Sequence, residues 1–378
     1  MLESFNFDYL TQLKGPAVNH SLVFLEHRNV IISHNVFIVV CLIYIPSIVL
    51  VNTLVFWGIV LYPGFHTTNN YLLLSLSIAD FLMGAYCIPM YVLSYIKDTS
   101  PTILGNRMAC LTLFASKQLA GSGSLLSLFL ISVDRFIAIT WPFRYPFLIN
   151  EKKILRLIVI QWLLLTFLSF LPMMGLNNYN PAVCPLILRC NYFTTLPSLY
   201  VLIWMCFICA AISISAALHI RIIFIAIRQV SRFKSELGTL SRDQITQFHN
   251  RVSSVKLTSF LMLVFVILYL PYVLITPFKY LNLFSEVTIE IIQVVAQLFT
   301  FGNSLANGPI YAIARTEYKQ VYMTMLTAYP WRWKIALRNL HREQHSSLYD
   351  SYPGTPKPSR AFSVKTFSGM SKSSSEAV

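Results

Sequence analysis

Charge is scarce in this chain. Of its 378 residues only 12% are Asp, Glu, Lys or Arg, while 56% are hydrophobic. The mean hydropathy of +0.61 is too high for an ordinary soluble domain. The local signatures of enzymes are also missing. There is no GxSxG turn for a nucleophile, no HExxH for zinc, no GxxxxGK phosphate loop and no pair of membrane carboxylates, so catalysis is not expected. No internal repeat is visible, which counts against a duplicated transporter. Residues 1–20 are polar and include Asp8, Lys14 and Pro16, so they do not read as a cleavable signal peptide.

Long apolar runs fill the space these absences leave. Seven of them, near 36–62, 69–96, 107–140, 153–175, 197–228, 252–279 and 287–313, reach across roughly 30 Å of hydrocarbon at about 1.5 Å per residue. The expected fold is an all-α membrane protein, a seven-transmembrane helix bundle with a short amphipathic helix after helix seven. A net charge of +14 would point to nucleic acid if it formed one face of a soluble domain. Here it does not, and no nucleic-acid partner is expected. With the N-terminus outside, 22 of the 29 Lys and Arg fall at inner ends and segments, six outside and Lys117 within the membrane. The positive-inside rule therefore orients the chain with an extracellular N-terminus and a cytosolic C-terminus. The expected organisation is an extracellular segment 1–34, a bundle 35–313, an amphipathic membrane-surface region 314–342 and a disordered Ser-rich tail 343–378.

The third run, from Cys110 to Trp141, carries the residues that are hardest to place in lipid. Lys117, Gly121, Ser124, Leu128, Ile131 and Arg135 share one stripe at helical spacing, and that stripe must face the bundle interior. Asp80 in the second run poses the same problem. It is either an isolated protonated acid or part of an oxygen cage with Ser124, Asn303, Ser304 and Asn307, which suits a small hard cation with water. Asn52 needs hydrogen-bond partners on a neighbouring helix. Pro89 and Pro271 should bend helices two and six. Of seven cysteines, only Cys110, Cys184 and Cys190 fall on the outer side. Their spacing fits no metal site, so a disulfide is the reading, with Cys110 expected to pair with Cys190 and Cys184 unassigned. The sequon at Asn19 lies on the same side and permits glycosylation. Past residue 314, Trp331 and Trp333 stand among Arg332, Lys334, Arg338 and Arg342, a composition suited to the inner membrane surface.

Taken in order, these features resemble a class A, rhodopsin-like G-protein-coupled receptor over residues 35 to about 325. The matching residues are Asn52, LSIAD ending at Asp80, Cys110, Asp134-Arg135-Phe136, Trp162, Phe265 with Pro271, and Asn303 through Tyr311. The second run and PMMGLNN look similar to the amine and adenosine branches. The resemblance implies a plasma-membrane receptor coupled to a heterotrimeric G protein, with arrestin and receptor kinases acting on the Ser-rich tail (Ser371, Ser373, Ser374, Ser375). It assigns activation roles to Asp134, Arg135, Phe136, His219, Asn307, Pro309 and Tyr311. It also implies no cofactor beyond an allosteric sodium ion at Asp80, Ser124, Asn303, Ser304 and Asn307.

The chain departs from that family at informative places. Gly308 takes the proline position of helix seven and Pro309 follows one residue later. Tyr269 replaces a tryptophan, Ala211 a proline and His219 a tyrosine, while Arg251 stands where an acidic partner for Arg135 is common. A weaker latch and ligand-independent signalling are expected from these changes. Lys117 occupies the position of the amine receptors' aspartate, and Phe301 the position of the opsins' lysine. Neither a biogenic amine bound through that position nor light reception is expected. Lys117 calls either for an anionic or acceptor-rich small ligand or for an internal partner such as Glu286 or Glu290. By resemblance in position, Gln118, Gly121, Tyr192, Tyr269, Tyr272, Thr276, Gln293, Gln297 and Phe301 join it in the pocket. The competing class is a seven-helix ion or proton transporter, because Asp80, Lys117 and Arg135 form a polar file through one bundle.

Overall fold

The computed structural model describes residues 20–182, 190–236, 242–280 and 284–350. Side chains are described from residue 28, excluding 231–252, 254, 276, 279–280, 286 and 345–350. Seven long helices carry the chain: α1 (His20–Leu61), α2 (Thr68–Tyr95), α3 (Arg107–Thr140), α4 (Glu151–Phe170), α5 (Ser198–Glu236), α6 (Arg242–Tyr280) and α7 (Glu286–Ala314). Each is long and apolar enough to cross a membrane. Two further helices follow, α8 (Thr316–Thr327) and α9 (Trp333–Asp350). The protein is a multi-pass membrane protein.

Local chemistry sets where these helices begin. Asn106 Oδ1 accepts from the N–H groups of Met108 (2.9 Å) and Ala109 (3.2 Å) and so caps α3. Asn150 caps α4 through Lys153 N–H (2.9 Å), and Ser285 caps α7 through Thr288 N–H (3.2 Å). The irregularity expected at Pro89 takes the form of a π-helical turn over Met83–Cys87, just before the proline that lacks an N–H.

Helix α3 packs on α2, α4, α5 and α6, and α7 wedges between α1 and α6. The contact between α1 and α7 depends on Gly308. A Cβ there would lie 2.1 Å from Val51 Cγ1, so only glycine lets the backbones approach this closely.

The core has two apolar clusters with a polar layer between them. One cluster spans Phe37, Met83, Leu113, Ala120 and Phe301, and the other spans Leu54, Leu72, Leu125, Leu128 and Tyr311. Between them in sequence, on four helices, fall the buried Asn52, Asp80, Ser124, Asn303, Ser304 and Asn307. Asn52 finds the partner its burial requires, because its Nδ2 donates to Ser304 O on α7 (3.0 Å).

Beyond α7 the chain folds back on itself. The Tyr318 ring stacks on Phe65 at 4.3 Å, and its hydroxyl donates to Asn70 Oδ1 (2.6 Å). Trp333 Nε1 donates to Met325 O (2.8 Å) and Ala328 O (3.1 Å), closing the end of α8. Leu337 is fully buried, and Gln344 meets both Tyr62 and Gln320. The two tryptophans that composition groups together are therefore separated. Trp333 turns inward, while Trp331 is 74% exposed and stacks on Tyr329.

Candidate functional site

The Cys110–Cys190 disulfide, with Cα atoms 5.8 Å apart, ties the segment before α5 to the first turn of α3. Between it and the polar layer lies a cavity of about 40 Å³. Lys117, Gln118, Tyr192, Tyr269 and Tyr272, all expected from the sequence, line it. Gly121 belongs to it indirectly: a Cβ there would lie 2.7 Å from the Tyr269 hydroxyl, so the glycine makes room for the tyrosine. Phe301 is fully buried beside Lys117, with its ring centroid 5.9 Å from Nζ. Gln297 is buried and its Nε2 has no partner among the described residues. Gln293 is half-buried and does not line the cavity. The side chain of Thr276 lies outside the described residues.

Six wall residues escape the sequence reading: Tyr91, Phe114, Ser122, Trp204, Met205 and Ile208. The one legible hint is the i, i+4 spacing of Trp204 and Ile208, which puts both on one face of α5.

Lys117 is the only cation among the lining residues. Its Nζ lies 4.3 Å from the Tyr272 ring centroid and 5.2 Å from that of Tyr91. Such ring contacts are worth about 0.5–2 kcal/mol, rising with desolvation. Of the two acids named as internal partners, Glu290 pairs with His34 instead, Oε1 to Nε2 at 3.1 Å. The side chain of Glu286 lies outside the described residues.

In the polar layer, Asp80 is fully buried. Its Oδ1 accepts from Ser304 Oγ (2.8 Å) and its Oδ2 from Asn307 Nδ2 (2.6 Å). Ser124 Oγ and Asn303 Oδ1 are buried in the same layer without a hydrogen-bond partner among the described residues. Two orphaned oxygens in one layer with a carboxylate make a donor set that fits a small hard cation such as sodium. These five residues would hold the ion, whose positive charge would balance the buried carboxylate.

At the far end of α3, Arg135 Nε donates to Asp134 Oδ2 (2.9 Å), and Tyr145 Oη donates to Asp134 Oδ1 (2.8 Å). The Tyr145 hydroxyl also lies 2.8 Å from Thr68 Oγ1, so one short helical turn joins α2 to α3. Burial, with the Asp134 charge second, pushes the Tyr145 phenol up to about 12. Phe136 meets Trp141 edge-on at 6.0 Å. Tyr311 is buried, its hydroxyl has no hydrogen-bond partner among the described residues, and its ring lies 5.7 Å from Tyr318. Pro309 sits inside a continuous α7.

His219 does more than replace a tyrosine. The Ser132 hydroxyl donates to Leu128 O (2.8 Å), which uses its single proton. His219 Nε2–H must therefore donate to Ser132 Oγ (3.0 Å), and Ser259 Oγ–H donates to His219 Nδ1 (3.3 Å). One neutral imidazole thus joins α3, α5 and α6. Arg251, Cys184, Asn19 and the tail serines have side chains outside the described residues.

Seven apolar helices, a disulfide capping the third, a walled cavity and a charged pair at the opposite end define a seven-helix membrane receptor. The family model for seven-transmembrane receptors of the rhodopsin family matches residues 51–311, and the chain belongs to that family, the class A G-protein-coupled receptors. It is 23% identical to the adenosine receptor A2a of Cavia porcellus over 79% of this chain and 74% of that one. Melanopsin-B of Xenopus laevis is 25% identical over 79% of this chain and 55% of its own length. The alpha-1A adrenergic receptor of Oryzias latipes is 23% identical over 81% and 68%. These three relatives carry different names and lie at nearly equal distance, so they do not single out a ligand for this chain.

Proposed function

We propose that this chain is a plasma-membrane receptor that passes the signal of a small anionic or acceptor-rich molecule to a heterotrimeric G protein. In this reading the N-terminus and the Cys110–Cys190 disulfide face outward, and the Asp134–Arg135 end meets the G protein. The ligand enters between the disulfide and the polar layer, contacting Lys117, Gln118, Tyr192, Tyr269 and Tyr272, and sodium at Asp80 favours the resting state. The segment 35–313 is the signalling bundle, 314–342 rests on the inner membrane surface, and 343–378 is the tail that receptor kinases and arrestin engage. Ligand-independent signalling accompanies this reading, because the tie at the Arg135 end that involves His219 is a pair of neutral hydrogen bonds.

The observation that carries the proposal is the cavity with one cation on its wall. A cation in the bundle is costly without an anion and is a functional-site hypothesis by default. The experiment is guanine-nucleotide exchange on a panel of added heterotrimeric G proteins, with and without a metabolite library. Exchange above that of empty membranes supports the receptor. Current across a voltage-clamped membrane with no exchange on any G protein would point to transport instead.

A further inference from the structure

Lys117 is held almost entirely by aromatic rings. Tyr272 on α6, Tyr91 on α2 and Phe301 on α7 surround its ammonium at 4.3, 5.2 and 5.9 Å. No hydrogen bond or ion pair to a described residue joins its three N–H donors, and the ion pairs among those residues are His34–Glu290 and Asp134–Arg135. Glu290 is also far away along the helix. At roughly 1.5 Å per residue it stands about 16 Å further along α7 than Phe301. Lys117 is half-buried and lines the cavity, so these three donors face whatever occupies it.

The cavity beside Lys117 measures about 40 Å³. At about 10–15 Å³ per water this is space for roughly three waters, in a pocket that is partly open. A ligand larger than that displaces wall side chains where it reaches Lys117. The contact that a ligand can replace most favourably is the one between Lys117 and Tyr272, because a ring face offers an ammonium no acceptor lone pair. A carboxylate offers charge-assisted N–H···O bonds about twice as strong as neutral ones. A cation or a neutral hydrocarbon gains nothing by the exchange. Since the described lining holds a single cation, a monoanion is matched, whereas a dianionic phosphate would bury a charge without a partner. Of the remaining wall, the rings of Phe114, Tyr192, Trp204 and Tyr269 with Met205 and Ile208 offer apolar surface suited to an aromatic body, and Gln118 and Ser122 add two polar side chains.

We propose that the ligand is a small aromatic carboxylate, and that its carboxylate takes the Lys117 ammonium from Tyr272 and so breaks a tie between α3 and α6. This rests on the receptor reading above and deepens it. The tie is placed where its release matters. Tyr272 follows Pro271, whose missing N–H weakens α6 at that level. Tyr272 also meets Tyr269 edge-on at 6.1 Å, and Tyr269 stacks on Phe265 at 4.8 Å and 14°. Movement at Tyr272 thus passes down α6 through three rings toward Ser259.

The test uses the purified full-length chain with benzoate, phenylacetate and indole-3-acetate, each beside its primary amide, and phenyl phosphate as the dianion. Two readouts are taken, the thermal unfolding midpoint and nucleotide exchange on added G protein. The expected result is that acids raise the midpoint by several degrees while amides and phenyl phosphate do not. Lys117→Arg keeps the effect, and both Lys117→Met and Lys117→Gln lose it. Without ligand, Lys117→Met and Tyr272→Leu should raise exchange severalfold at equal folded fraction, with Tyr272→Phe, which keeps the ring face, brought back toward wild type. Equal shifts from acids and amides, or no shift from any acid in a chain that still drives exchange, overturns the carboxylate. Exchange in Tyr272→Leu equal to wild type overturns the tie. Acid-selective stabilisation in a chain that never drives exchange would leave the carboxylate site standing and remove the receptor reading.

Discussion

His219 and Ser132 meet across the α3–α5 boundary, Nε2 to Oγ at 3.0 Å, and the other imidazole nitrogen accepts from Ser259 on α6. The Ser259 bond forms only while α6 stays against α5, and the Ser132 bond fixes the imidazole that receives it. The Ser259 bond is worth about 1 kcal/mol net, so losing it shifts a two-state balance roughly fivefold. His219→Phe should therefore raise ligand-independent nucleotide exchange by about that factor at matched surface expression, and Ser259→Ala by a similar one. An unchanged basal rate in His219→Phe would show that the bridge does not restrain α6.

Gly308→Ala should lower stability sharply. The added Cβ would sit 2.1 Å from Val51 Cγ1, and overpacking of this kind costs about 1–3 kcal/mol. Val51→Ala in the same chain removes the obstructing atom and should restore much of the loss. The measurement is the thermal midpoint of the two single variants and the double variant.

The polar layer predicts a sodium effect. Replacing choline chloride by sodium chloride should raise the thermal midpoint of the wild-type chain. Asp80→Asn keeps the size but removes the charge, and should abolish the difference while leaving the fold intact. Equal midpoints in the two salts for the wild type would argue that Ser124 and Asn303 are satisfied by water alone.

Trp333→Phe should loosen the junction between α8 and α9. It deletes the donor to Met325 O and Ala328 O, at 2.8 and 3.1 Å, and leaves two carbonyls at the end of α8 without it. Amide hydrogen exchange at Thr327 and Ala328 should quicken, while exchange in the seven long helices stays as it was. No change there would mean that Leu337 and Gln344 hold α9 by themselves.

Much of this protein is legible in the sequence because a membrane leaves few options. Seven runs of sufficient length and apolarity must be helices, since lipid satisfies no backbone donor or acceptor. Asp80, Asn303, Ser304 and Asn307 could be read together because the same lipid forces polar side chains inward. Pro89 announced an irregularity but not its π-helical form, which depends on how α2 packs against α1 and α3. Lys117 was legible as a cation within the membrane in need of a partner. The rings that surround it were not, because Tyr91, Tyr272 and Phe301 come from three different helices whose rotations no single helical pattern fixes.

The sequence by itself determined the number of crossings, the polar layer and the identity of the charged residues, since each follows from the cost of placing particular groups in hydrocarbon, and its motifs carried the resemblance to the family. Only the tertiary structure decided which groups answer one another. It set Lys117 against Tyr272 rather than Glu290, joined His219 to Ser132 and Ser259, used Gly308 to bring α7 onto α1, and turned Trp333 away from Trp331. Those outcomes depend on helix rotation and on contacts between residues far apart in the chain, and an ångström of displacement is enough to make or break each one.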